Sequence, residues 1–154
     1  MKAKRKRDNC SRVMANPAGW FKHQFVKGKL SMLRVLIVED NDTFRATFKQ
    51  SLCEHFPSMV IEEAATGEVA LQRVKENPPD LIFTDIRLPE MNGLALTKRI
   101  KTDFPNVHIA VVTGYDLPEY REAALQYGAE RFFFKSSMQW DEVVAFIKSV
   151  PVRG

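Results

Sequence analysis

"DLIFTDIRLPEMNG", Asp80 to Gly93, opens with the apolar run Leu81-Ile82-Phe83 and delivers a carboxylate, Asp85, to its end. The run does not alternate apolar with polar, as a strand with one wet face does. It is the pattern of a short strand buried on both faces, the kind found in parallel sheets. Leu88-Pro89 then turns the chain, and "NGLALTKRIKTDF" (92–104) follows with apolar residues at helical spacing. One strand-then-helix unit is legible here, and similar units extend from it in both directions.

Upstream, "LRVLIV" (33–38) is continuous and β-branched, and "DTFRATFKQSLCEHF" (42–56) places Phe44, Phe48, Leu52 and Phe56 four residues apart. This predicts a strand and an amphipathic helix, with Asp42 as N-cap and Pro57 as the stop. "MVIEEAA" (59–65) and "TGEVALQRVKEN" (66–77) repeat the pair, capped by Thr66 and closed by Pro78-Pro79. Downstream come "VHIAVVT" (107–113), "LPEYREAALQYG" (117–128) with Gly128 as its stop, "ERFFFK" (130–135) and "MQWDEVVAFIKSV" (138–150). Five βα units with no hairpin signal predict an α/β fold: a doubly wound, five-stranded parallel sheet with right-handed crossovers.

At 154 residues the chain suits one domain with a proper core. No apolar stretch approaches the roughly 20 residues that span a bilayer, and the basic start lacks the apolar region of a secretory signal. Cys10 and Cys53 make no metal spacing and no disulfide framework. Cytoplasm is the default expectation. The net charge of +4 is unevenly distributed. Residues 1–31 hold nine Lys and Arg against Asp8 alone; of the totals of 23 bases and 19 acids, 14 and 18 remain for 32–154. The globular part is therefore acidic. Residues 1–31 read as a disordered basic arm that the domain does not need, with non-specific nucleic-acid binding as the sharper reading and a true start at Met32 as a third. The domain is expected over 32–150, followed by a short tail, 151–154.

In an open parallel sheet the ligand crevice lies beyond the C-terminal ends of the strands. Those ends carry Glu39-Asp40, Asp85, Thr113-Gly114 and Lys135-Ser136. In the common strand order 2-1-3-4-5, the four strands concerned are successive neighbours and these side chains share one rim. Crowded carboxylates suit a hard divalent cation such as Mg²⁺. Asp85, the central acid, is then a candidate nucleophile able to take a phosphoryl group, with Lys135 and Thr113 facing the oxygens of the transferring group. Taken singly, each residue reads as a cap, a turn or a solvated charge. Their joint occurrence at four strand ends favours a site.

"VLIVEDND", "LIFTDIRLPEMNGL", "VVTGY" and "RFFFKSS", in this order, resemble the CheY-like receiver domain of two-component response regulators over about residues 33–150. The resemblance implies the (βα)5 flavodoxin-like fold, with Asp85 as phosphoacceptor, Asp40 as a direct metal ligand and Glu39 as the acid holding metal through water. The backbone carbonyl of Arg87 matches a third protein ligand, Thr113 the switch hydroxyl, Lys135 the family lysine and Phe132 the switch aromatic. It departs from the family where Lys-Pro is common and Lys135-Ser136 stands, and where Phe132 replaces the more usual tyrosine.

By the same resemblance, the donor is a sensor histidine kinase or a histidine phosphotransfer protein. The chain catalyses only its own phosphorylation and dephosphorylation. Output is expected by protein contact through the face of the fourth helix, fifth strand and fifth helix, from a stand-alone receiver that is a monomer or a phosphorylation-linked dimer. Its downstream target is unknown, no membrane partner is implied, and nucleic acid would be touched only through the basic arm. A phosphohydrolase is disfavoured because such enzymes carry their nucleophile in a DxD motif after the first strand, whereas the candidate here follows the third, in "TDIRL", with no DxD there. A nucleotide-binding protein is disfavoured because neither GxxxxGK[ST] nor GxGxxG occurs. Arg87 and Tyr115, each two residues after a site residue, are large and expected to shield an acyl phosphate from water, giving slow self-dephosphorylation.

Overall fold

The structure, a computed structural model, describes residues 8–10 and 33–152. In chain order its elements are β1 (Asp8–Asn9), β2 (Arg34–Val38), α1 (Asp42–His55), β3 (Val60–Ala64), α2 (Gly67–Glu76), β4 (Leu81–Thr84), α3 (Gly93–Asp103), β5 (His108–Thr113), α4 (Pro118–Gln126), β6 (Arg131–Phe134) and α5 (Trp140–Ser149). Strands β2 to β6 are parallel, and β1 joins antiparallel at one edge, giving the sheet order β1-β3-β2-β4-β5-β6. Counted from Arg34, the five parallel strands stand as 2-1-3-4-5, the flavodoxin-like arrangement.

The apolar runs become strands because both sheet faces are covered. All four residues of β4 are buried. One core cluster packs Val35, Ile37 and Phe83 against Phe48 and Leu52 of α1 and Phe146 of α5. On the other face, Leu36 and Ile82 meet Val74 of α2 and Leu96 and Ile100 of α3. Fully burying side chains of this size stabilises by about 1.5–3 kcal/mol each, before the cost of ordering the chain. A smaller cluster, Ile86, Val111, Ala124 and Ala129, seats α4.

Helix ends follow local chemistry, with one correction. Thr66 caps α2 by accepting from Val69 N, and Asn92 caps α3 by accepting from Ala95 N at 2.8 Å. The cap of α1 is Asn41 rather than Asp42: the Asn41 side chain accepts from Phe44 N at 2.9 Å. Asp42 stands one residue inside, where its charge suits the helix start and pairs with Arg45 at 2.7 Å. Gly128 follows α4 with φ of 105°, a left-handed conformation that ends helices and favours glycine.

The cysteines also depart from expectation. Asp8 and Asn9 pair with Ile61 and Val60, and Cys10 N donates to Met59 O at 3.2 Å. This edge pairing brings Cys10 to Cys53 of α1, where the two form a disulfide with Cα atoms 5.1 Å apart, within the span such a bond needs. Both are fully buried. No local spacing announces the pair, because 43 positions separate its members. Such a bond persists under oxidising conditions. The rest of the expected basic arm, Trp20 and Phe25 included, lies outside the described residues. At the other end Val152 packs against the core. No helix among the described residues is long and apolar enough to cross a membrane.

Candidate functional site

The expected acids, Thr113, Lys135 and Arg87 stand at or just beyond the C-terminal ends of β2, β4, β5 and β6, whereas Phe132 is the second residue of β6. Glu39 and Asp40 follow β2, Asp85 follows β4, Thr113 ends β5, and Lys135 follows β6. The turn after β4 makes room for this. Gly93 N donates to Ile86 O at 2.6 Å, and a Cβ at Gly93 would collide with the carbonyl oxygen of Asp85. The start of α3 thus packs directly on the backbone of the candidate acceptor, and glycine is what permits it.

Lys135 Nζ donates to Glu39 Oε2 and to Asp85 Oδ2, each at 2.9 Å. Glu39 and Asp85 are 2% and 6% exposed, while Asp40 is open to solvent. One carboxylate oxygen from each of the three acids lies within 4.8 Å of the others. Burial pushes Glu39 up to about 7; its bonds with Lys135 and Asn41 N oppose the rise, and the charge on Asp85 adds to it. Burial alone would lower Lys135, but its bonds to Glu39 and Asp85 outweigh that and raise it. The site therefore concentrates negative charge that one ammonium offsets only in part. Three converging oxygen donors with excess negative charge fit a hard divalent cation.

Around this centre, Asp85 Oδ1 accepts from Ile86 N at 2.6 Å. Thr113 is fully buried, its hydroxyl oxygen accepts from Tyr115 N at 3.3 Å, and its carbonyl accepts from Lys135 N at 2.8 Å. Arg87 is exposed, and its guanidinium lies over the ring of Tyr115, 3.9 Å from the centroid. These two residues, expected singly as shields, face one another. Phe132 is half-buried against the cluster that seats α4, with the Arg121 guanidinium 5.0 Å from its ring centroid. No peptide among the described residues is cis, so Lys135–Ser136 is trans.

Two contributors escape a reading of strand ends. Arg45 Nη1 donates to the carbonyl of Glu39 at 2.7 Å, and the same side chain holds Glu63 and Asp42. Phe44 presents its ring to Lys135, with Nζ 4.0 Å from the centroid. The only sequence signal for Phe44 was its four-residue spacing from Phe48, which reads as core packing. His55 bonds Ser51 O and stacks on Trp140, and His108 pairs with Glu130; neither reaches the site.

A family model described as the response regulator receiver domain matches residues 35–148. The uncharacterized transcriptional regulatory protein YhcZ of Bacillus subtilis is 32% identical over 105 residues, 68% of this chain and 49% of its own. The chain spans about half the length of the curated relatives it matches. Among solved structures, a response regulator receiver domain protein (CheY-like) from Methanospirillum hungatei superposes with a TM-score of 0.69 at 29% identity, covering 76% of this chain and 91% of that one. A DNA-binding response regulator of the LuxR family from Staphylococcus aureus gives 0.69 at 25% identity, covering 75% and 96%.

Proposed function

The chain belongs to the response regulator receiver domain family, and from that premise we propose that Asp85 accepts a phosphoryl group from a phosphohistidine donor, a sensor histidine kinase or a histidine phosphotransfer protein. As a receiver domain it works in two-component signalling. The observation that carries the assignment is the ammonium of Lys135 bridging Glu39 and Asp85 at 2.9 Å each, with an oxygen of Asp40 close by.

In this reading Glu39, Asp40, Asp85 and the carbonyl of Arg87 would hold Mg²⁺, which would supply positive charge to offset that of the transferring phosphoryl group. A carboxylate oxygen of Asp85 attacks phosphorus; the P–O bond forms as the P–N bond to the donor imidazole breaks. The imidazole leaves with that electron pair and takes a proton from solvent. Lys135 exchanges its bond to Asp85 for one to a phosphoryl oxygen, and the Thr113 hydroxyl donates to another. Burial of Asp85 and Thr113 strengthens these contacts, since charge-assisted bonds gain where water is excluded.

Because its curated relatives are about twice as long, the output of the whole protein is itself part of the proposal. The reading that residues 33–152 support is protein contact through α4, β6 and α5, with the receiver unit over 32–150. Leu117 and Leu125 stand 47% and 51% exposed at α4, an apolar surface a partner protein can cover. The test is direct. The protein is incubated with acetyl phosphate, with and without Mg²⁺, and its intact mass is measured. Phosphoryl addition should require Mg²⁺ and vanish in Asp85→Asn; addition at the wild-type level in that variant would move the acceptor elsewhere.

A further inference from the structure

We propose that Phe44 is a positioning residue for Lys135, its ring holding the ammonium in place while the bonds of that ammonium change during phosphoryl transfer. The inference rests on the reading of Asp85 as acceptor and adds a residue that the strand ends do not contain.

Lys135 reaches the site on a long, flexible stem. Two directions of its ammonium are set by Glu39 Oε2 and Asp85 Oδ2. The ring of Phe44 takes up another, 4.0 Å from Nζ to centroid, a distance at which the electron-rich face of an aromatic ring attracts a cation. The lysine side chain is 21% exposed, so the contact is only partly screened by water.

Phe44 is itself fixed at both ends. Its backbone N–H donates to the Asn41 side chain at 2.9 Å, and its ring stacks on Phe48 with centroids 5.8 Å apart and planes 15° from parallel. Phe48 is wedged in turn against Phe83 and Trp140, at 5.0 and 5.4 Å. Asn41 N also donates to Glu39 Oε1 at 3.0 Å. One turn, from Glu39 to Phe44, thus grips Lys135 twice, through a carboxylate and through a ring. When a phosphoryl group arrives, Lys135 must trade its Asp85 bond for a phosphoryl oxygen. The ring makes no hydrogen bond that competes in that exchange, so it keeps the ammonium near the reacting oxygens throughout.

Three variants of the full chain separate this from plain packing. Phe44→Leu keeps apolar bulk and loses the π face; Phe44→Tyr and Phe44→Trp keep the face. With acetyl phosphate and saturating Mg²⁺, Phe44→Leu should phosphorylate about three- to tenfold more slowly, as expected for losing a partly desolvated cation–π contact. The two aromatic variants should recover most of the rate. The ε-methylene protons of Lys135, followed by NMR in protein carrying ¹³C-lysine, should be shifted upfield by the ring in wild type and lose that shift in Phe44→Leu. Wild-type ε protons without an upfield shift would overturn the contact even if Phe44→Leu fails to fold. Phe44→Leu reacting at the wild-type rate while Asp85→Asn is inert would overturn the role of Phe44 and leave the acceptor assignment standing. A wild-type chain that takes no phosphoryl group in the presence of Mg²⁺ would overturn both.

Discussion

Asp85 and Glu39 keep two nearly buried carboxylates within reach of one ammonium, an arrangement that costs desolvation energy which a plain surface pair avoids. Arg87, two residues after Asp85, stacks on Tyr115, two after Thr113, and so joins the loop after β4 to the loop after β5. A cation–π contact at an exposed position is worth about 0.5–1 kcal/mol. The expected consequence is kinetic: an acyl phosphate on Asp85 would decay when water attacks in line, and we propose that the stacked pair restricts that approach. Arg87→Ala and Tyr115→Ala should each speed the decay of phosphorylated protein, by about two- to fivefold on that contact energy. Because both break one contact, the double variant should decay no faster than the faster single one. Full additivity, followed by loss of the phosphoryl mass over time, would mean that the two side chains act separately. The two residues were legible in sequence as large neighbours of the site, but their stacking was not, since it joins loops 28 positions apart. Phe44 was hidden differently, its apolar spacing giving no hint that one edge of the core faces an ammonium.

At the level of elements, every parallel strand and every crossover helix was legible within a residue or two, because burial on two faces and amphipathic spacing are local signals. The α1 cap slipped by one position, since Asn41 and Asp42 are both good capping residues and only geometry chooses between them. Strand β1 left no trace in the sequence. Two residues, Asp8 and Asn9, have no periodicity, and it is the open edge of β3 that gives them a ladder. Its tie, Cys10–Cys53, closes a loop across 43 positions, and in the chain-entropy account such a bond stabilises by about 2–4 kcal/mol. Under oxidising conditions the segment Asp8 to Cys10 is therefore expected to add to stability. Cys10→Ala, Cys53→Ala and a chain starting at Met32 should each unfold at lower urea concentration than the oxidised wild type. The double cysteine variant should lose little more than either single one. Dithiothreitol should lower the wild-type midpoint and leave the variants unmoved. A midpoint indifferent to reductant in wild type would show that the bond does not form or does not matter.

For the molecule as a whole, the response to phosphorylation depends on how firmly each part is packed. Helix α1 belongs to the large core cluster, whereas α4 contributes its Ala124 to a small cluster with Ile86, Val111 and Ala129, with Tyr120 and Phe132 half-buried beside them. Weakly seated elements are the ones that open or shift at low cost. The link from Asp85 to α4 is short. Thr113 accepts a 3.3 Å bond from Tyr115 N and, through its carbonyl, one from Lys135 N. A phosphoryl oxygen offers the Thr113 hydroxyl a charged acceptor, and such a bond is worth about 1.5–3 kcal/mol. Raising an active state from about 1% to half of the population needs roughly 100-fold differential affinity, near 2.7 kcal/mol, which one new bond at the upper end of that range supplies. In the proposed switch, Thr113 moves toward that oxygen, Phe132 leaves its place under Arg121 to fill the space vacated, and the segment from Gly114 to α4 follows. Amide exchange with and without beryllofluoride, an acyl-phosphate mimic, should therefore change over residues 114–126 and 131–135, while α1 beyond its first turn keeps its protection. Asp85→Asn should show no such change on adding the mimic. Exchange that alters only in α1 and α2 would place the output away from β6, toward the β3 edge of the sheet, and the contact face assigned to α4, β6 and α5 would be wrong.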